Sequence, residues 1–317
     1  MIKGKGGFME NSFTWIFALV VGGFILFLAI FFAIRLTGTE ETQIDVVTSK
    51  DIGILTNPLE IGFESGKTTF LSLPTETRIY GNCDNSGEFG TQKIRISQKS
   101  LGEWSETPLN ISFKNKYLFS ESPVEGRSFY LFSKPFEFPF KVADLIYLIP
   151  KNKFYCFVLS SNNPLHKDIS MEIRNLKLDN VKNVTNANNC PPGSQKVCFT
   201  STCNITVNLQ QEKVIKSGEN LSFSGSTLMY AAIFSDPDVY KCQLKRLMQR
   251  TDNLADLYEK KIIYVGQKGC NANFNLALLS SRADSYSKEN TQEIRSIYTQ
   301  VVKQINASNE AAGCKIW

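Results

Sequence analysis

The hydrophobic positions of this chain fall into three patterns, and each predicts a different kind of element. Phe13 to Ile34, FTWIFALVVGGFILFLAIFFAI, is apolar and carries no charged residue. As a helix it rises roughly 33 Å, close to the hydrocarbon thickness of a bilayer. From about Leu59 to Gly225, short β-type runs alternate with turn residues. The runs are TTFLSL (68–73), KIRIS (93–97), NISF (110–113), SFYLF (128–132), FYCFVLS (154–160), KVCFT (196–200) and NITVNL (204–209), punctuated by GNCDNSG, SSNNP and NANNCPPG. Beyond Ser235 the period becomes helical. Ser235 is placed to cap, Pro237 sits in the first turn and Asp238 closes a capping box. Leu244, Leu247, Met248, Leu254, Leu257 and Tyr258 follow at helical spacing, and Gly266 ends the run. A shorter helix is predicted from about Asn273 to Tyr286. A third starts at Asn290, with Glu293 three residues on. It shares one apolar face of Ile294, Ile297, Tyr298, Val301, Val302 and Ile305, and Gly313 ends it.

These patterns predict an α+β protein: an N-terminal transmembrane helix, one antiparallel sandwich-like β domain and a C-terminal three-helix bundle. The expected division is a cytoplasmic N-terminus (1–12), a helix in the lipid bilayer (13–35), a helical stalk (36–58), an extracytoplasmic β domain (59–230) and the bundle (235–317). The stalk rests on Glu40–Leu55, which can continue as a helix until Asn57-Pro58. A soluble buried helix accounts poorly for the first segment, because such helices rarely lack every polar residue over this length. A cleaved secretory signal fits no better, since the apolar stretch is long and no small-x-small site follows before Arg35. Lys3 and Lys5 precede the span, whereas Arg35 follows it and is succeeded by Glu40, Glu41 and Asp45. Basic residues favour the cytoplasmic side, so the N-terminus is expected inside.

The chain has 317 residues, a net charge of +5 and one histidine. No run of Lys and Arg forms a stripe and no nucleic-acid module is present, so a nucleic-acid partner is not expected. The lone His166 argues against a His-based metal site or a Ser-His-Asp triad.

The eight cysteines change the picture more. Cys83, Cys156, Cys190, Cys198, Cys203, Cys242, Cys270 and Cys314 all lie beyond the span and are even in number, which suits disulfides in an oxidising compartment. Zinc at Cys190, Cys198 and Cys203 lacks the second C-x₂₋₄-C element of structural sites. One pairing follows from geometry. Cys242 and Cys270 lie about 35 Å apart along a straight helix and cannot pair. Short connections make consecutive helices antiparallel, so Cys270 at the head of the second helix shares an end of the bundle with Cys314 at the tail of the third. Cys270–Cys314 is the expected disulfide, with Cys242 facing the β domain and the remaining partners open. Sequons begin at Asn110, Asn183, Asn204, Asn220 and Asn306. A chain rich in Asn, Ser and Thr produces such triplets by chance, so they are compatible with export without demonstrating it.

Three tempting motifs read as ordinary structure. Gly62-Phe-Glu-Ser-Gly66-Lys67-Thr68 has three residues between its glycines where a phosphate-binding P-loop needs four, and reads as a polar turn. Phe136, Phe138, Phe140 and Val142 alternate as the inward face of a half-buried strand, with Pro139 suggesting an edge. Exposed, they would form an aromatic platform for sugars or a membrane surface. Asp144, Asp236 and Asp238 carry no sign of acid/base pairing.

Five segments carry a resemblance: KGKGGFMENSFTWIFALVVGGFILFLAIF, NPLEIGFESGK, PTETRIYGNCD, FYLFSKPFEFPFKVADLIYL and LMYAAIFSDPDVYKCQLKRLM. Through them the whole chain resembles an uncharacterised family of single-pass membrane proteins of small-genome archaea. The resemblance implies a single span and brings no activity with it. More distantly, the architecture resembles type IV pilin-like proteins, which join a hydrophobic N-terminal helix to a β-rich head. Lys5-Gly6-Gly7 with Phe8 is similar to their leader, but Glu10 is the third residue after that glycine where the fifth is usual.

The expected function is therefore a membrane-anchored extracytoplasmic binding or cell-envelope structural protein, its partner an envelope protein or a glycan. No catalytic, cofactor or metal residues are evident. The alternatives are a pilin-like filament subunit and, behind it, an exported enzyme acting on glycans or thiols.

Overall fold

A computed structural model describes residues 15–35, 68–105, 111–270, 272, 274–289 and 293–317. The expected cytoplasmic N-terminus, the stalk, nearly all of the Gly62–Thr68 turn, the pilin-like leader and Asn110 lie outside them. The first element, α1 (Trp15–Arg35), has a mean hydropathy of 2.9 and exposes apolar side chains on every face. By length and composition it is able to cross a membrane.

Seven strands form the first sheet: β1 (Thr68–Asp84), β2 (Thr91–Ser100), β3 (Glu103–Trp104), β4 (Ile111–Phe113), β5 (Tyr117–Phe119), β6 (Val124–Glu137) and β7 (Lys141–Pro150). Their order is β3-β2-β1-β6-β7-β5, with β4 also on β2. All pairs are antiparallel except β5 with β7. The sheet curls toward closure. β4 on the free edge of β2 runs through three residues, Lys114–Lys116, into β5 on the free edge of β7. Leu118 N–H donates to Gln92 Oε1 at 3.4 Å, bridging β5 and β2. Side chains alternate across β6 and β7, so the two strands serve two cores. Phe129, Leu131, Ile146 and Leu148 line the concave side with Ile79, Ile94 and Ile96, whereas Tyr130, Phe132, Leu145, Tyr147 and Ile149 face the main core.

Six strands form the second sheet: β8 (Tyr155–Val158), β9 (Val181–Val184), β10 (Gln195–Cys198), β11 (Ile205–Asn208), β12 (Lys213–Lys216) and β13 (Glu219–Ser222), in the order β13-β12-β11-β10-β8-β9. This sheet corrects the expectation of one antiparallel domain. β9, β8, β10 and β11 pair in parallel, and only β11-β12-β13 is an antiparallel meander. Parallel neighbours require a crossover, and α2 (Pro164–Asn175) supplies it between β8 and β9. The SSNNP run read as a turn is the start of α2: Asn163 caps it by accepting from Leu165 N–H, and Pro164 occupies its first turn.

The sandwich also needs correction, because a helix stands between the sheets. α3 (Gly225–Phe234) is buried from Leu228 to Phe234 and packs on β6, β7 and β12. A helix apolar on all sides must be surrounded. The Phe234 ring meets Phe132 of β6 and Tyr155 of β8 edge-on, at 6.0 and 5.0 Å, and so joins both sheets. Buried Lys216 closes the C-terminal end of α3, donating to the carbonyls of Ile233 (3.0 Å) and Ser235 (2.8 Å). Burial pulls the pKa of this lysine down, against the opposing pull of Glu121.

The C-terminal helices are α4 (Pro237–Gly266), α5 (Ala277–Glu289), α6 (Ile294–Ile297), a π-helical turn (Tyr298–Val302) and α7 (Lys303–Ala311). The N-cap of α4 is Asp236, not Ser235. Ser235 instead donates to Ala231 O inside the end of α3, and the Asp236 carboxylate accepts from Ser122 N–H at 2.8 Å. The described part of the third helical segment begins after Glu293, Asn290 lying outside the described residues, and it buries Ile294, Ile297, Val301, Val302 and Ile305. These helices share one continuous core with both sheets.

Two clamps fix α4 to the first sheet. The β6–β7 hairpin carries Phe138 and Phe140 at its tip; Phe140 stacks on Tyr258 of α4 at 4.4 Å and meets Trp317 edge-on. The Phe136–Val142 alternation is thus a buried chain reversal, not one continuous strand, and Pro139 lies in the turn instead of on an edge. The other clamp is a stripe on α4: Cys242, Gln243, Arg246 and Gln249. Cys242 is disulfide-bonded to Cys83 of β1. Arg246, wholly buried, donates to the carbonyls of Phe89 (3.2 Å), Lys114 (2.9 Å) and Lys116 (2.8 Å), and to Gln243 Oε1.

Candidate functional site

Strand order 9-8-10 makes β8 a switch point. The chain leaves β8 for β9 on one side, then passes to β10 on the other. In open parallel sheets a crevice forms at the C-terminal ends of strands where the connections diverge in this way. The loop after β8 (Leu159–Asn163), the first turn of α2 and the loop after β10 (Phe199–Asn204) meet there.

His166 stands in the middle of it. It is 3% exposed and lines two adjoining hollows, of about 810 and 580 Å³. Ser160 N–H donates to its Nδ1 at 2.9 Å, and its ring lies 5.4 Å from that of Phe199. A neutral imidazole that accepts at Nδ1 carries its proton on Nε2. Burial pushes the His166 pKa below its ordinary value and favours this neutral form. Among the described residues no group bonds to Nε2.

The two hollows differ in chemistry. The larger runs between α2 and edge strand β9, and its lining includes Lys167, Arg174 and Lys182 but no Asp or Glu. None of the three forms an ion pair among the described residues. Lys167 and Arg174 are seven residues apart, two helical turns, and so share a face of α2 with Ser170 and Met171. The basic strip continues into a neighbouring hollow of about 530 Å³, which shares Arg174 and Lys182 and adds Lys177 and Asp179. Asp179 accepts from Tyr130 OH at 3.0 Å. The smaller hollow is neutral, lined by Asn163, Phe199, Thr200, Ser201, Thr202 and Asn208 among others. Its Thr200–Thr202 rim sits inside the short loop closed by Cys198–Cys203, whose Cα atoms are 5.7 Å apart.

No protein family, curated protein or solved structure matches the chain.

The remaining cysteines join as Cys83–Cys242, Cys156–Cys190 and Cys270–Cys314, with Cα separations of 6.0, 5.7 and 5.8 Å. The trio weighed for zinc is thereby divided between two disulfides. Asp144 pairs with Lys141 at 2.8 Å. Asp236 and Asp238 do share a hollow, of about 360 Å³ beside Cys83–Cys242, where the Asp236 carboxylate is held by Ser122 N–H. Of the sequons, Asn204 and Asn220 are exposed, and Asn306 is half-buried and accepts from Trp317 Nε1. Asn183 lies in the wall of the cleft, its Nδ2 donating to the carbonyl and hydroxyl of Ser170 at 3.2 Å each.

Sequence reasoning passed over His166 because a lone histidine offers no partner in the linear chain. The available signals were the Asn163-Pro164 helix start three residues before it and the spacing of Lys167, Arg174, Lys177 and Lys182.

Proposed function

We propose that this chain is a membrane-anchored extracytoplasmic binding protein whose ligand site is the cleft around His166. The single observation that carries the reading is the buried imidazole, its Nε2 without a partner among the described residues, between two hollows at a switch point of the parallel sheet. α1 serves as the anchor, with the N-terminus on the cytoplasmic side. Four disulfides support an oxidising, extracytoplasmic setting for everything beyond it. In this reading α4, α5 and the α6–α7 segment act as a three-helix bundle, tied at one end by Cys270–Cys314, that supports the sheets and leaves the β8–β10 end free for ligand.

The test is a ligand screen on the full-length protein in lipid nanodiscs, against neutral and acidic glycans and envelope-polymer fragments. Met171→Trp, which places a large ring in the wider hollow, serves as the blocked control. Retention of a ligand class by the wild type and its loss in Met171→Trp is the expected result. Ligands bound equally by both proteins would place binding elsewhere. The filament reading is tested by mass spectrometry of the native N-terminus: Met1–Gly7 is expected to remain attached, and a chain starting at Phe8 would put the pilin-like alternative first.

A further inference from the structure

Three features of the cleft bear on what it binds. The wider hollow carries Lys167, Arg174 and Lys182 without a carboxylate in its lining. Asp168 and Glu172 are the acidic residues of α2 itself. Neither lines this hollow, and Glu172 is engaged by Lys134 at 3.0 Å. Cations left without counter-ions around a concavity attract an anion, and Arg174 offers the planar fork that suits a carboxylate or sulfate. The narrower hollow offers hydroxyls and amides, with the Phe199 ring and Leu165 as apolar surface and no charge. That combination suits the hydroxyls and the C–H face of a sugar ring. His166 lies at the junction and lines both hollows, with an N–H at Nε2 that no group among the described residues uses.

Resting on the binding reading above, we infer that the ligand is an acidic oligosaccharide. A uronate or sulfated unit occupies the α2–β9 hollow. Neighbouring neutral sugar units extend past His166 toward the Thr200–Thr202 loop. The two hollows, at about 810 and 580 Å³, exceed what a single ion would fill. A free phosphate or sulfate would use only the cationic side. Size and the neutral arm therefore favour a glycan over a simple anion.

The experiment is calorimetric titration of the full-length protein in nanodiscs of zwitterionic lipid. The probes are hexagalacturonate as the acidic oligosaccharide, maltohexaose as the neutral one, and sodium sulfate as the bare anion. The variants are the combined Lys167→Gln, Arg174→Gln, Lys182→Gln protein and His166→Phe, each checked for folding by circular dichroism. The expected result is hexagalacturonate binding that weakens with salt and falls about tenfold or more in the triple variant. It falls also in His166→Phe, while maltohexaose binds at least about tenfold more weakly than the uronate. Maltohexaose binding as tightly as the uronate, or uronate binding unchanged in the triple variant, would overturn the acidic assignment and leave the cleft a glycan site. Sulfate competing on equal terms would overturn the oligosaccharide. Silence of all three probes overturns this inference, whereas the binding reading falls only when the wider screen also finds no ligand sensitive to Met171→Trp. The comparison of probes on wild-type protein stands even where a variant fails to fold.

Discussion

The backbone amide of Ser160, in the loop that leaves β8, donates to His166 Nδ1 across 2.9 Å. This one bond ties the first turn of α2 to the strand it crosses from and decides which ring nitrogen faces the cleft with a proton. The rest of the ring is enclosed, so the neutral form is favoured.

His166 is the sole histidine, so its titration is readable without assignment. Its pKa in the free protein is expected below the ordinary 6.5, because burial penalises the charged ring. Between that lowered value and 6.5 the folded state binds fewer protons than the unfolded state, so stability rises with pH across this window and levels off above about 6.5. NMR titration of the imidazole checks the shift. A pKa above 6.5 would mean that a negative group faces the ring, contrary to the cleft described.

Arg246→Met should destabilise by about 3–5 kcal/mol, because the carbonyls of Lys114 and Lys116 and the Gln243 amide lose their buried donor. Arg246→Lys should recover little of this, since an ammonium cannot span three separated carbonyls. Urea unfolding measures both. A loss under about 1 kcal/mol would show that the β1–β2 turn and the 114–116 segment hold together without the clamp. Gly90→Ala tests the same contact from the other side. Gly90 sits at φ +56°, and a Cβ there would lie 2.5 Å from Asp84 O and 2.8 Å from Arg246 Cγ.

All eight cysteines are paired, so alkylation of intact cells is expected to label none of them. Labelling from outside should follow treatment with a membrane-impermeant reductant. Thiols reachable only after lysis would place these domains in the cytoplasm. Peptide mapping should return the four pairs. Replacing Cys270 and Cys314 by serine should cost up to about 4 kcal/mol, the chain-entropy value for a loop of 44 residues.

Where the chain is glycosylated, Asn204 and Asn220 should carry the modification and Asn183 should not. The Asn183 amide nitrogen is held by Ser170 in the cleft wall, whereas the other two side chains are exposed. Glycopeptide mass spectrometry reads occupancy site by site. A glycan on Asn183 would fill the groove and contradict the assignment of that groove to a free ligand.

The sequence by itself determined the features whose signal is local or additive. The apolar run of α1 stands out because its length and unbroken hydropathy together meet the membrane requirement. The long helix α4 follows from a repeated apolar spacing, and the Cys270–Cys314 proximity from helix rise and short connections. Seven runs were legible and fall in β1, β2, β4, β6, β8, β10 and β11, whereas β5, β7, β9, β12 and β13 were not read, and β1 and β6 run well past the runs that marked them.

Tertiary structure alone decided the rest. Tyr155–Val158 has the same residues whether its neighbours run parallel or antiparallel, and only the register with β9 and β10 settles that. α2 was hidden behind its own start: the SSNNP run reads as a turn, although His166, Ile169 and Ile173 share one buried face of the helix. α3 was hidden for the opposite reason, being apolar on every side and so without a period at all. The cleft required the loops after β8 and β10, some forty residues apart in the chain, to meet at His166, and that meeting is a consequence of strand order rather than of any local pattern.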